Sequence, residues 1–160
     1  MMSMDTVALP HGFVDLLLRL VLGAVLGGVI GFNRELHHKP AGLRTHALVA
    51  LGACTFTVMG LLLTPHGGME DVSGVSRIVQ GLVAGVGFVG GGVIMRGNSI
   101  TDVQGLTTAA SVLVVAALGA ASGLGLWRTA IATAGLTMII LVLGEFVDAF
   151  IHRQDDEHHS

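Results

Sequence analysis

Two pairs of ionisable residues stand at spacings that put both members on one helix face. Asp15 and Arg19 are four residues apart and can pair side by side, which offsets the cost of a lone charge inside a bilayer. Glu145 and Asp148 are three apart, so their carboxylates can form an acidic vestibule for a cation or simply mark a water interface. A third group surrounds "NRELHHKPAGLRTH". Asn33, Arg34, Glu35, Arg44 and Thr45, together with Arg96, Asp102, Thr107 and Thr108 further on, have the charges and hydroxyls of a polar platform. The plainer reading is that these Arg and Lys residues only fix topology.

Other candidates are weaker. On a helix His37 and His38 diverge by about 100°, which does not suit a shared metal. Asp15, Glu145 and Asp148 are weak candidates for the acidic mouths of a Mg²⁺ path, and midspan carboxylates are absent. Ser73, Ser76, Ser99, Ser111 and Ser122 have no His and carboxylate at a suggestive spacing, and no Cys/His metal pattern exists. The chain is expected to be no enzyme and to need no cofactor.

The medium around these groups follows from composition. Of 160 residues 52% are hydrophobic and 12% charged, about half the usual charged fraction of a soluble domain. The charges are clumped, and apolar stretches near the ~20 residues of a spanning helix run between them. Five spans are expected, over Phe13–Phe32, Arg44–Leu63, Val75–Met95, Val103–Ser122 and Leu126–Phe146. The expected fold is an all-α polytopic membrane protein: a segment 1–12 outside, a transmembrane domain 13–151 and an acidic, His-bearing tail 152–160. Pro40 and Gly42 end the first helix, with the Thr45 hydroxyl as a cap for the next. Trp127 and Phe146 suit the two interfacial belts of span five. Lone Cys54 excludes an internal disulfide and is expected to pack as a small apolar side chain.

Arg34, Lys39 and Arg44 lie between spans one and two, Arg96 between three and four, and Arg153 in the tail. The positive-inside rule then puts the N-terminus out and the C-terminus in the cytoplasm. The net charge of −3 arises mostly in the tail and does not point to nucleic acid.

"GGVIGFNRE" (27–35) is echoed by "GGVIMRG" (91–97), and "GLRTHALVALGA" (42–53) by "GLTTAASVLVVAALGA" (105–120). Offsets of 64 (Gly28 to Gly92) and 63 (Gly42 to Gly105) suggest a duplicated helical hairpin with both copies in the same orientation. The fifth span has no counterpart and would pack beside the four. Gly23, Gly27 and Gly31 recur every four residues, as do Gly81, Gly85 with Gly87, and Gly91. Small residues at this spacing let lipid-embedded backbones approach closely. Gly85, Gly87 and Gly90 also spell G-x-G-x-x-G, but a dinucleotide loop needs a preceding strand and an acidic partner ~20 residues on, and Asp102 comes too early. Gly90 to Gly92 are expected to unwind their helix locally.

Read together, "GGVIGFNRELHHKPAGLRTHALVALGA", "GVGFVGGGVIMR" and "GLTTAASVLVVAALGAASGLG" resemble the membrane domain of the MgtC/SapB family from about Leu16 to Leu143. The resemblance implies a bacterial inner-membrane protein linked to magnesium limitation and acid stress. It implies either magnesium transport or the binding and restraint of other membrane proteins, ATP synthase among them. Asn33 stands where the family's G-x-E-R motif usually has Glu, and Leu113 and Val114 replace the Trp-Cys of virulence-type members. With no ACT-like domain after the spans, the chain is expected to be the short SapB-type form. The leading expectation is function by association, with a homo-oligomer, most simply a dimer, or with a membrane-protein partner. The alternative is a Mg²⁺ or other cation permease.

Overall fold

A computed structural model describes residues 12–63, 72–94 and 105–157, with side chains 72, 73 and 147–157 left aside. Arg96 and Asp102 fall outside it. Among the described residues five α-helices follow one another: α1 (Phe13–Leu36), α2 (Leu43–Leu63), α3 (Val72–Ile94), α4 (Leu106–Gly123) and α5 (Trp127–Glu157). Each contains a stretch long and apolar enough to cross a membrane, and no strand occurs among the described residues. In a bilayer only a helix satisfies its own backbone, so apolar segments of this length have no other solution.

The helices differ from the expected spans mainly at their ends. α1 runs on to Leu36, and α5 continues beyond Phe146 to Glu157, taking in residues 152–157 that were expected to form a tail. Gly90 to Gly92 do not unwind α3, which is helical through Ile94. Three glycines cost helix propensity, yet an opened turn at membrane depth would leave N–H and C=O groups without partners. α1 ends in a Schellman motif: Lys39 N–H donates to Arg34 O (3.0 Å) and His38 N–H to Glu35 O (3.0 Å), with His38 left-handed at φ +52°. Gly125, at φ +78°, does the same for α4, with Leu126 N–H reaching Ala121 O at 2.9 Å.

α4 is the central helix and touches all four others, α2 most closely, while α1 packs chiefly on α2. α5 lies against α4 and α1, beside the other helices as expected. The core joins Ile30, Ala50, Val115, Leu118, Ala130, Ala134 and Leu141. Cys54 packs there as a fully buried small side chain.

Glycine makes these close approaches possible on two sides of α2. A Cβ at Gly27 would lie 2.7 Å from both the Ala50 Cβ and the His46 carbonyl oxygen, and one at Gly31 would lie 2.7 Å from Gly42 O. Gly23 is in ordinary contact with Cys54 and Ser122. From the other side, a Cβ at Gly119 would strike the Ala50 backbone, and one at Gly123 would stand 2.8 Å from Cys54 O. Ala50 is therefore clasped between Gly27 and Gly119.

The glycines of α3, two pairs on different faces of the helix, behave differently. Positions 81, 85, 87 and 91 meet no atom within 4 Å, so the close contact expected of these glycines is not made inside this chain. α3 leans on α4 near one end, where Gly90 faces Ala109 and Gly105 faces Val93, and diverges from α2 along a groove of about 520 Å³. The two hairpins thus pack unequally, because the second has only its α4 half in the core.

Candidate functional site

The polar residues gather at the two ends of the bundle. At the α4–α5 end, Arg19 Nη2 lies 3.0 Å from Asp15 Oδ2, the pairing expected from their spacing. Its Nη1 donates to Gly123 O at 2.9 Å, so the buried guanidinium also caps the negative C-terminus of α4. Gly125 permits this, since its α-carbon faces the guanidinium, only 3.2 Å from where a Cβ would stand.

At the other end the expected platform divides by burial. Asn33 and Arg34 are buried, 8% and 2% exposed, whereas Glu35 and Arg44 face outward and Thr45 is half-buried. Arg34 Nη1 lies 3.5 Å from Glu145 Oε1, and His37 Nε2 lies 3.0 Å from Glu145 Oε2. Glu145 is therefore the tie between α5 and the end of α1, not half of an open vestibule. The Asp148 side chain lies outside the described ones. His37 Nδ1 is 2.7 Å from Asn33 O and donates to it, so the ring bridges its own helix to Glu145.

Glu35 has a role that the sequence reading gave to Thr45. Its Oε2 accepts the Leu43 N–H at 2.8 Å, capping α2 across the connection, while Thr45 already lies inside that helix. The cleft beside it is lined by Glu35, His38, Lys39, Gly42, Arg44 and Thr45. Across His38 and Lys39 a second cleft is lined by Arg34, Thr107 and Thr108 among others. Described members of the two repeat halves do approach each other, with His38 and Lys39 as the shared wall.

His46 and Ser111 form a pair that spacing does not reveal, buried within the first two turns of α2 and α4 at this same end. The fully buried His46 ring places Nδ1 2.9 Å from Gly42 O and Nε2 2.9 Å from Ser111 Oγ, joining α2 to α4. The Nδ1–H donates to the carbonyl, so a neutral ring accepts the Ser111 hydroxyl through Nε2. The same hydroxyl lies 2.8 Å from Thr108 O and with its single hydrogen serves one acceptor at a time. Thus a serine does meet a histidine, 65 residues away in sequence, with a backbone carbonyl on the ring's other nitrogen in place of a carboxylate. Among the described residues no three His, Cys, Asp or Glu side chains converge on a common point.

Membrane-length helices clasped by glycines, with a buried arginine tying α1 to α4 at one end and to α5 at the other, define a polytopic α-helical membrane protein. The chain belongs to the MgtC family, whose model matches residues 20–150. It is 39% identical over 145 residues to Protein SrpB of Synechococcus elongatus, covering 86% of this chain and 80% of that one. It is 36% identical to the putative magnesium transporter YhiD of Escherichia coli, covering 79% of this chain and 59% of YhiD. Protein MgtC of Salmonella typhimurium is 41% identical over 125 residues, covering 78% of this chain and 49% of MgtC. The chain thus spans only about half of those two longer relatives. No solved structure matches it.

Proposed function

We propose that this MgtC-family membrane protein works by association within the bilayer, in adaptation to magnesium limitation or acid stress. The α3 face makes the contact, and the rim of Glu35, Arg44 and Thr45 is what a partner meets outside the bilayer. The observation that carries this reading is the contrast between the glycine stripes. Those of α1 and α4 are filled by α2, while on α3 Gly81 and Gly85 line the unfilled groove beside α2, and Gly87 and Gly91, on another face of the helix, meet nothing within 4 Å. A second copy is the simplest occupant of that groove, because in a twofold dimer the same patch of each copy meets the other.

The permease alternative draws on the name of YhiD, a putative magnesium transporter. Against it, the carboxylates of Asp15 and Glu145 each face a buried guanidinium, which leaves little net charge for a cation. Protein in liposomes loaded with a Mg²⁺ dye separates the two readings. Association predicts no protein-dependent flux, and flux would favour the permease. Arg44→Ala is expected to insert normally and fail a magnesium-limitation growth test; full growth would refute the role of the rim.

A further inference from the structure

A cavity of about 450 Å³ opens where the end of α1 meets the start of α4, walled by Arg34, His38, Lys39, Gly105, Thr107 and Thr108 among others. None of the described residues lining it is acidic. Two features of the backbone bias it further toward negative charge. The last carbonyls of α1 are already occupied: Asn33 O by the His37 ring, Arg34 O by Lys39 N–H and Glu35 O by His38 N–H. The negative end of that helix is thereby blunted. α4 presents the opposite pole, and its N-cap is Gly105 at φ +93°, which offers no side-chain oxygen to the first-turn N–H groups.

Arg34 is a second, independent observation. It is 2% exposed, its 3.5 Å approach to Glu145 is longer than a charge-assisted hydrogen bond of about 2.7–2.9 Å, and its Nε has no hydrogen-bond partner among the described residues. A buried guanidinium with donors to spare borders a cavity that also carries an ammonium group, hydroxyls and an open helix N-terminus.

We infer that this cavity binds a phosphate group. A tetrahedral anion accepts from several directions at once, and guanidinium, ammonium, hydroxyl and first-turn N–H donors match it. The volume falls in the range of small-ligand pockets, about 300–1,000 Å³, so there is room for a phosphate ester as well as the free ion. The phosphate belongs either to a soluble ion or ester or to the headgroup of an anionic lipid. The inference is independent of whether α3 pairs with a second copy.

The test uses the full chain in phosphatidylcholine nanodiscs, titrated calorimetrically with inorganic phosphate and with ATP. In a second arm, phosphatidylglycerol is mixed into the discs and its retention on the protein is read by native mass spectrometry. Saturable binding in the first arm identifies a soluble ligand, and selective retention in the second alone identifies a headgroup. In whichever arm binds, Lys39→Gln and Thr107→Val, both at exposed positions, are expected to weaken binding at least tenfold with helicity unchanged. Arg128→Gln, at the opposite end, is expected to leave binding unchanged. Absence of binding in both arms overturns the inference. So does wild-type affinity in both cavity variants, or an equal loss with Arg128→Gln.

Discussion

Replacing Gly119 by alanine adds one methyl group, and the structure fixes where it must go. The new Cβ would collide with the backbone of Ala50, which cannot rotate away as a side-chain tip would, and Ala50 is held from behind by Gly27. α2 and α4 must therefore separate, or α2 must be driven into α1. Overpacking a close-packed core costs about 1–3 kcal/mol, and a gap of 0.5–1 Å forfeits roughly a quarter to a half of each dispersion contact along the seam. Better helix propensity returns about 1 kcal/mol. With a dispersion loss on the order of 1 kcal/mol along the seam, the net expectation is a loss of about 1–3 kcal/mol.

Gly135→Ala is the control, because a Cβ there meets nothing within 4 Å and only the propensity gain of about 1 kcal/mol remains. The two variants should thus differ by about 2–4 kcal/mol, tens to several hundredfold in the folding equilibrium at about 1.4 kcal/mol per factor of ten. Unfolding in mixed detergent micelles, titrated with SDS and followed by far-UV circular dichroism, measures this difference. Equal midpoints for Gly119→Ala and Gly135→Ala would refute the claim that glycine–backbone contact holds the bundle together.

Three further outcomes are expected. Glu145→Gln leaves the buried Arg34 guanidinium without its counter-charge and should cost about 3 kcal/mol, with faster amide exchange in α5 than in α2; unchanged exchange in α5 would argue against the tie. Ser111→Ala strands the buried Nε2 of His46 and should lower stability by about 1–3 kcal/mol in the same SDS titration. His38→Gly relieves a left-handed non-glycine residue at φ +52° and should stabilise by up to about 1 kcal/mol, where any loss would show that the imidazole itself is needed.

Much of the fold was legible because a bilayer narrows the choices. Length and hydropathy define the five helices, and the four-residue spacing of Gly23, Gly27 and Gly31 marks the α1 surface that meets α2. The four-residue spacing of Gly119 and Gly123, within "GAASG", carries the same signal over a single turn, where periodicity is weakest. Which of two similar stripes is filled inside the chain depends on how the hairpins dock, and periodicity does not encode that. The same limit explains Glu145: its spacing from Asp148 suggested an open acidic pair, whereas its partners Arg34 and His37 lie more than a hundred residues away. Thr45 has the chemistry of a cap, but the path of the chain through Pro40 brings Glu35 to the Leu43 N–H first, and local sequence does not encode that path.

The account rests on the open face of α3, and cysteine crosslinking in native membranes tests it most directly. With Cys54 replaced by alanine, Gly85→Cys should form a disulfide-linked dimer on mild oxidation, and Gly135→Cys on α5 should not. Efficient dimers from Gly135→Cys together with none from Gly85→Cys would contradict it.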